Sequence, residues 1–137
     1  MRLTRTLTTI AASVAVAAGA LGAVAPANAA APASCPRGAG CTYKNSNYSG
    51  GYVNFYYNVR NYADIDYWGG AGGLFPNDDV SSVYNNGTTG KRTFFYKEKN
   101  YGGTALIRNK GLGYINLANL TGWNDRISSA CFEGYCN

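Results

Sequence analysis

The sequence predicts an all-β domain made of two similar halves, and three observations carry that prediction. Glycine and tyrosine are abundant, with 18 and 12 copies in 137 residues, which favours short strands and tight turns over helices. No segment shows a sustained helical period of apolar residues. Two motifs each occur twice, in the same order, along the chain.

The first 29 residues have the pattern of a signal peptide. Arg2 and Arg5 precede an apolar, alanine-rich stretch from about Leu7 to Ala25, and Ala27-Asn28-Ala29 supplies the small-x-small pattern that signal peptidase reads. The stretch is shorter than a transmembrane helix of about 20 residues. We expect cleavage after Ala29, or alternatively after Ala31, and secretion of a single domain of about 108 residues.

Charge and residue types argue against several classes of function. The net charge of +5 falls to +3 without Arg2 and Arg5, and the other cations are scattered, so the chain has no nucleic-acid-binding signature. Histidine is absent and no Cys-x-x-Cys pair occurs, which argues against a zinc site or a thiol catalyst. Asp64 and Asp66 form a nearby carboxylate pair, but in a Gly/Tyr-rich loop such a pair is more typical of a solvated turn than of a glycosidase. We expect a protein that is not an enzyme.

Four cysteines follow the signal peptide: Cys35, Cys41, Cys131 and Cys136. An even count in a small exported domain predicts two disulfides. Three pairings are possible. The local pairs Cys35–Cys41 and Cys131–Cys136 are favoured, and a link from Cys41 to Cys131 is the alternative that would tie the two ends of the domain together.

The first repeated motif predicts a folded-over hairpin. Tyr43–Gly50 and Tyr96–Gly103 both read Tyr-Lys-x-x-Asn-Tyr-x-Gly, with an offset of 53 residues. One tyrosine ring is expected to pack on the other, and the glycine supplies a backbone conformation that a side chain would forbid. The alternative is a plain hairpin with surface tyrosines. The presence of two copies in register argues against this alternative.

The second repeated motif closes each half. Asn77–Ser82 and Asn124–Ser129 both read Asn-Asp-x-x-Ser-Ser, with an offset of 47 residues, so the first half carries six extra residues between its motifs. We divide the chain after the signal peptide into an N-terminal segment, 30–40, and a domain, 41–137. Its repeats are expected at about 41–86 and 94–133.

Six strands and one helical turn can be placed around these motifs. The strands are Thr42–Lys44, Gly51–Tyr57, Ser81–Tyr84, Thr93–Lys97, Thr104–Arg108 and Ser128–Phe132. The turn Asn85-Asn86-Gly87 connects the halves. Leu117–Leu120 is expected to form one short helical turn.

Both motifs resemble those of the βγ-crystallin superfamily. Its Greek-key signature is aromatic-x4-aromatic-x-Gly, and its microbial calcium-binding members carry (Asn/Asp)-(Asn/Asp)-x-x-(Ser/Thr)-Ser. The resemblance covers the whole chain after the signal peptide and implies two Greek-key motifs forming a two-sheet sandwich. The segment Cys35-Pro36-Arg37-Gly38 and the two predicted disulfides also resemble the secreted actinobacterial peptidase inhibitors of the Streptomyces metalloproteinase inhibitor family.

The second motif offers the hard oxygen ligands that calcium prefers. Asp78 and Asp125 supply carboxylates, and Ser81 and Ser128 supply hydroxyls. The resemblance implies that each ion bridges the two halves. It also implies further ligands from backbone carbonyls, which are those of Asp79 and Arg126 in the motifs and of Ser46 and Lys99 in the hairpins. The alternative is that Asn, Asp and Ser are ordinary turn residues bonded to their own backbone.

The resemblance implies a partner, an extracellular protease, and a zinc metalloprotease before any other class. No reactive-site loop can be aligned. The extra segment of the first half, Asn58–Gly70, is the candidate binding loop because Tyr62, Tyr67 and Trp68 are residue types that anchor interfaces. The alternative interpretation is a crossover loop whose aromatics cover the core. We expect a monomer. A second hypothesis for the whole protein is a calcium-stabilised extracellular module, structural or binding glycan or a cell surface, without protease inhibition.

Overall fold

Residues 30–69 and 76–137 are described by the structure, a computed structural model. The predicted signal peptide and Gly70, at the end of the predicted binding loop, lie outside these ranges. The described chain forms eight strands: β1 (Gly40–Asn45), β2 (Ser49–Phe55), β3 (Asn58–Val59), β4 (Ser82–Asn85), β5 (Thr93–Tyr96), β6 (Ala105–Arg108), β7 (Gly113–Tyr114) and β8 (Ser129–Phe132). Its helical elements are single 3-10 turns at Tyr62–Asp64, Lys99–Tyr101 and Leu117–Asn119.

The strands form two four-stranded antiparallel sheets, which confirms the all-β prediction. The first sheet has the order β2-β1-β4-β7 and the second has the order β3-β8-β5-β6. In each sheet, three strands come from one repeat and the fourth is the third strand of the other repeat. Asn58 of β3 pairs with Cys131 of β8, and Val83 of β4 pairs with Tyr114 of β7. This strand exchange is the Greek-key arrangement that the repeated motifs predict.

The six predicted strands correspond to observed strands, with ends displaced by up to two residues. The predicted turn at Leu117–Leu120 is observed at Leu117–Asn119. The sequence gives no warning of β3 and β7, because each is two residues long and pairs only with a strand of the other repeat. Such short strands have no alternation of their own to detect.

The 3-10 turns show where the first repeat is longer. Asn61 and Asn116 occupy equivalent places before their turns, and each side-chain oxygen accepts a hydrogen bond from a turn amide. Asn77 then follows Ile65 by 12 residues, whereas Asn124 follows Leu120 by four. The first repeat therefore has eight more residues after its turn and two fewer before it, which gives the net difference of six, and the extra residues lie after Ile65. The prediction that the extra segment begins at Asn58 is wrong, because Asn58–Asp64 has a counterpart in the second repeat.

The main core lies between the sheets. The Phe55 ring contacts Phe95 edge-on, with centroids 6.1 Å apart, and packs on Phe132 at 5.6 Å. Gly40 makes this packing possible, because a Cβ at that position would lie 2.4 Å from the Phe55 ring. The same core contains Tyr62, Tyr67 and Ala130 and the aliphatic side chains of Val53, Val80, Val83, Leu106, Leu117 and Ile127.

A second buried cluster lies on the outer face of the first sheet. It joins Cys35 and Ala39 of the N-terminal segment to Cys41, Tyr43 and Tyr84 of the strands. The disulfide Cys35–Cys41 holds this segment in place, with Cα atoms 5.8 Å apart.

A second disulfide, Cys131–Cys136, ties the C-terminal end of the chain to β8. The favoured local pairings are therefore confirmed, and a Cys41–Cys131 link does not form.

Candidate functional site

The two tyrosine hairpins fold over in the same way. In the first, the rings of Tyr43 and Tyr48 pack at 5.5 Å between centroids, and the backbone of Asn47 and Tyr48 has positive φ angles of 58° and 54°. In the second, Tyr96 and Tyr101 pack at 5.9 Å. Left-handed backbone at tyrosine is uncommon, so both hairpins must be held by contacts from elsewhere.

That contact comes from the last serine of each Asn-Asp-x-x-Ser-Ser motif. The hydroxyl of Ser82 donates to the Asn45 carbonyl (2.7 Å) and accepts from the Tyr48 amide (3.1 Å). Ser129 makes the same pair of contacts in the second hairpin, at 2.6 and 3.0 Å. The sequence interpretation assigned no role to these serines. Their presence in both motifs indicates a role, but only the structure shows that their partners lie in the tyrosine hairpins.

The two motifs cross each other through their backbones. The amide of Asp78 donates to the Ile127 carbonyl, and the amide of Asp125 donates to the Val80 carbonyl, both at 3.1 Å. Both aspartates have positive φ, 52° and 53°, a conformation that aspartate adopts more readily than most residues. The second residue of each motif is therefore turned toward the other repeat.

The side chains cross in the same way. The Ser128 hydroxyl donates to Asp78 Oδ1 at 3.1 Å, and the Ser81 hydroxyl donates to Asp125 Oδ1 at 3.3 Å. We call the first pair the Asp78 corner and the second the Asp125 corner. In each corner a carboxylate of one repeat meets a hydroxyl of the other. The aspartates themselves remain exposed, so both corners are open to solvent.

The first asparagine of each motif orients the carboxylate that follows it. The side-chain amide of Asn77 donates to Asp78 Oδ2 at 2.9 Å, and that of Asn124 donates to Asp125 Oδ2 at 2.6 Å. One oxygen of each carboxylate is thus held within its own motif while the other faces the opposite repeat. The asparagines were not among the predicted site residues.

A shallow depression of about 440 Å³ lies beside the Asp78 corner and brings Lys99 and Ser128 to one surface. Lys99 is the hairpin residue whose carbonyl the resemblance implies as a ligand. Its counterpart in the first hairpin is Ser46, whose carbonyl accepts a hydrogen bond from the Ser49 hydroxyl at 2.8 Å.

The third position differs between the two motifs. The carbonyl of Asp79 accepts a hydrogen bond from the Tyr67 hydroxyl at 2.9 Å, and its carboxylate pairs with Lys44. Burial raises the pKa of Tyr67, and the charges of Asp79 and Asp125 raise that pKa further, so this phenol is a neutral donor. A carbonyl has a second lone pair, so Asp79 can accept another contact. Arg126, in the second motif, is exposed.

The donor chemistry of both corners fits calcium. Each corner combines carboxylate and hydroxyl oxygens at hydrogen-bonding distance, and calcium binds such hard oxygen ligands. Within residues 30–69 and 76–137, no three side chains of His, Cys, Asp or Glu form a group that could hold a metal ion. With one carboxylate in each corner, the remaining oxygen ligands would come from backbone carbonyls and water.

The aromatic residues of the predicted binding loop are separated by burial. Tyr62 is fully buried and Tyr67 is 4% exposed, and the Tyr62 hydroxyl bonds with Thr42. These two are core residues, and the prediction that they anchor a partner is wrong. Trp68 is 69% exposed and remains available.

A cleft that the sequence interpretation did not foresee lies beside the second disulfide. It has a volume of about 270 Å³, and Tyr57, Thr88, Lys91 and Tyr135 are among its lining residues. Tyr57 is 63% exposed and meets Tyr135 edge-on at 5.2 Å. The Lys91 ammonium lies 4.3 Å above the Tyr135 ring.

No helix in the described ranges has the length and apolar character needed to cross a membrane.

Solved structures share this architecture. One that concerns the evolution of the eye lens βγ-crystallin domain fold is 25% identical, with a TM-score of 0.57, and the match covers 72% of this chain and 89% of that chain. A βγ-crystallin domain from Flavobacterium johnsoniae is 28% identical, with a TM-score of 0.52 and coverage of 69% and 92%. A βγ-crystallin from Ciona intestinalis is 18% identical, with a TM-score of 0.53 and coverage of 70% and 100%.

The family comparison agrees with the resemblance drawn from the motifs. No curated protein sequence matches the chain. The model of peptidase inhibitor family I36 matches residues 28–107, which include the N-terminal segment, the first repeat and the start of the second. The chain therefore has the βγ-crystallin fold and belongs to peptidase inhibitor family I36.

Proposed function

We propose that this protein is a secreted, calcium-binding inhibitor of an extracellular peptidase, and of a zinc metallopeptidase before other classes. The family match over residues 28–107 is the observation that carries the inhibitory role. The signal-peptide pattern of residues 1–29 and the two disulfides support secretion. Disulfides near both ends of the described chain also support inhibition, because a preorganised surface loses less conformational entropy on binding.

In this proposal, calcium joins the two repeats at the Asp78 and Asp125 corners. The corner carboxylates and hydroxyls would be ligands, together with the carbonyls of Ser46, Asp79, Lys99 and Arg126. In each corner a serine hydroxyl and an aspartate carboxylate are joined by a hydrogen bond. A bound calcium ion would attract both oxygens through its double positive charge. The crossing of the motifs, at 3.1 and 3.3 Å, supports an ion that bridges the repeats.

The proposal includes no catalysis. The four cysteines form disulfides and the sequence contains no histidine, so two common nucleophile and base types are lacking. We expect the protein to act by binding alone.

A peptidase panel tests the inhibitory role. The protein, purified from the medium of an exporting host, is assayed at micromolar concentration against zinc, serine, cysteine and aspartic peptidases. We expect inhibition within the zinc class, abolished when the inhibitor is reduced and alkylated. Wild-type protein that inhibits no peptidase in the panel contradicts the proposal.

Calorimetric titration and thermal melting test calcium binding. A ligand that binds only the folded state stabilises it by RT ln(1 + [L]/Kd), and extracellular calcium modules have Kd values of about 10⁻⁴–10⁻³ M. At millimolar calcium we expect a gain on the order of 1 kcal/mol, or about 4–8 °C in melting temperature. Magnesium at equal concentration is the control. No heat of binding and an unchanged melting temperature would show that the motifs are only turns.

The second candidate function is a calcium-stabilised module that binds an extracellular glycan. The cleft beside Tyr57 favours it, since it combines exposed aromatic rings with Thr88, Thr89 and Lys91, and such rings stack on sugars. Co-sedimentation with insoluble cell-wall glycan tests it. Binding that Tyr57→Ala removes and Ile115→Ala retains would support this function, whereas absence of co-sedimentation would exclude it for that glycan.

A further inference from the structure

β2 and β6 occupy equivalent places at the edges of the two sheets. Each is paired on one side only within its sheet, β2 with β1 and β6 with β5. The registers match: Tyr43 pairs with Tyr52 in the first sheet, and Tyr96 pairs with Ala105 in the second. Ala105 is thus the counterpart of Tyr52, and the backbone of the two strands is oriented alike.

The free side of β2 is covered by the chain itself. The Tyr52 amide donates to the Trp68 carbonyl at 2.9 Å, and the Trp68 amide donates to the Tyr52 carbonyl at 2.8 Å. Tyr52 therefore directs both backbone groups away from β1. Trp68 belongs to the longer connection of the first repeat, which follows Ile65.

The second repeat lacks that covering segment. Only three residues lie between Leu120 and Asn124, and no described strand or bridge lies on the free side of β6. Because the register repeats, Ala105 directs its amide and carbonyl away from β5. Ile107, two residues further on, does the same, since the direction of these groups alternates along an antiparallel strand.

The β6 edge, defined by Ala105 and Ile107, has the properties of a strand-addition site. It offers two amides and two carbonyls along a short strand, and an unpaired row of this kind accepts another extended chain. The Ile107 side chain is 41% exposed. On the neighbouring strand, Phe94 and Tyr96 stack at 6.4 Å with a 17° angle between rings and are partly exposed, so they provide an apolar surface beside the edge.

Charge disfavours a second copy of this chain as the occupant. The stretch Ala105–Lys110 contains Arg108 and Lys110 and no acidic residue. Two β6 edges pairing with each other would therefore bring like charges together across a strand of four residues. A peptidase, in contrast, holds peptide chains in extended form through backbone hydrogen bonds, and its substrate cleft offers a complementary strand edge.

We propose that the β6 edge pairs with an extended strand at the substrate cleft of the target peptidase, an inference that rests on the inhibitory role proposed above. The pairing of Tyr52 with Trp68 shows how such an edge can be occupied. In the first repeat a segment of the same chain pairs with β2, whereas in the second repeat the β6 edge is left for the partner.

Substitutions at the edge test the inference against a peptidase that the wild-type protein inhibits. Ile107→Pro removes an outward amide that β5 does not use, a position where proline is tolerated. Ile107→Lys keeps the amide but places a charge at the edge. Ile115→Lys is the matched control, because Ile115 is also exposed, at 53%, and directly follows β7, a strand of the other sheet. We expect Ile107→Pro to weaken inhibition at least tenfold and Ile115→Lys to leave it unchanged, with all three variants melting like wild type.

Amide hydrogen exchange in the inhibited complex provides a readout that does not depend on a variant's folding. Ala105 and Ile107 should gain protection on binding, whereas Tyr52, already bonded to Trp68, should not. Unchanged exchange at Ala105 and Ile107 in an inhibited complex overturns the inference and leaves the inhibitory role intact. A wild-type protein that inhibits nothing overturns both. A wild-type dimer that Ile107→Pro dissociates would make a second copy the occupant and overturn the peptidase assignment.

Discussion

Ser81 and Ser82 are identical neighbours with different tasks. Ser82 is fully buried and bonds both sides of the first tyrosine hairpin, whereas Ser81 is partly exposed and faces Asp125. The same division of contacts holds between Ser129 and Ser128 in the second repeat, although Ser128 is itself buried, at 6% exposure. Under the proposed function, stability and ion binding are assigned to adjacent positions of one motif, and we expect that they can be altered separately.

Ser82→Ala should destabilise the protein by about 1–3 kcal/mol, since it removes the two hydrogen bonds that the Ser82 hydroxyl makes to the Asn45 carbonyl and the Tyr48 amide, each worth about 0.5–1.5 kcal/mol. The melting temperature should fall without calcium present. Ser81→Ala is the matched control and should reduce calcium affinity with a smaller loss of stability. Chemical denaturation and calorimetric titration of both variants measure the two effects. Equal destabilisation by the two substitutions would contradict this division of roles.

Asp78→Asn preserves the size of the side chain but removes its charge. We expect weaker calcium binding at the Asp78 corner, because an amide is a poorer calcium ligand than a carboxylate. Since Ser128 donates to Asp78, backbone NMR shifts should change in the second motif as well as in the first. Asp66→Asn, an exposed carboxylate outside the motifs, is the control. Shift changes confined to the first motif would argue against an ion shared between the repeats.

At the scale of single residues, the sequence identifies the carboxylates and hydroxyls of the candidate site but not the residues that orient them. The motif spacing pointed to Asp78, Asp125, Ser81 and Ser128, and their crossed contacts lie within 3.3 Å. Burial is harder to predict from the sequence. Tyr67 and Trp68 are adjacent and both aromatic, yet Tyr67 lies in the core and Trp68 is exposed to solvent. That difference depends on which face of the sandwich each side chain meets.

Among the elements, the N-terminal segment has no equivalent in the second repeat. It lies over the outer face of the first sheet, where Cys35 and Ala39 pack with Tyr43 and Tyr84. The outer face of the second sheet is covered less, and Ile107 is exposed there. The Cys35–Cys41 disulfide therefore stabilises a packed layer as well as a loop.

Replacing Cys35 and Cys41 together by serine should cost about 2 kcal/mol from loop entropy alone, with a further loss from the packing of Tyr43 and Tyr84. The double substitution of Cys131 and Cys136 is a matched control, because the sequence separations are similar, six and five residues. Guanidinium unfolding measures both. Equal losses would show that the N-terminal segment adds no stability beyond its cross-link.

The strands could be predicted where they carried a repeated pattern. β1 and β5 were found from the tyrosine motif, and β4 and β8 from the serine that begins them. β3 and β7 could not be found, since nothing in an Asn-Val or Gly-Tyr pair predicts pairing with a strand more than 25 residues away. Whether such a short segment forms a strand depends on the neighbouring strand with which it pairs.

For the molecule as a whole, buried tyrosines determine the response to alkali. Burial raises the pKa of Tyr43, Tyr62 and Tyr67 above the ordinary value of 10. Below pH 10 these phenols are protonated in both the folded and the unfolded state, so their contribution to stability is fully present. Above pH 10 the unfolded chain loses protons that the folded protein retains, and stability falls. Arg108 acts in the opposite direction, because burial lowers its pKa to about 10, but it is a single group.

We therefore expect an unfolding transition above pH 10 and no comparable loss from these groups between pH 7 and pH 9. Phenolate absorbance from the buried tyrosines should rise together with the loss of circular dichroism. Tyr62→Phe should shift this joint transition to higher pH. Ionisation of the buried tyrosines near pH 10 with circular dichroism unchanged would contradict the expectation.

The exchange of β3 and β7 between the sheets affects how the chain can fold during synthesis. When the first repeat has left the ribosome, β4 has no neighbour on one side until Gly113–Tyr114 arrives, and β3 has none until Ser129–Phe132 follows. An isolated first repeat would thus present two unpaired strands, which are open to pairing with other nascent chains. A chain truncated before residue 113 should accordingly aggregate rather than fold as half a domain, so ribosomes stalled there would display a protease-sensitive nascent chain.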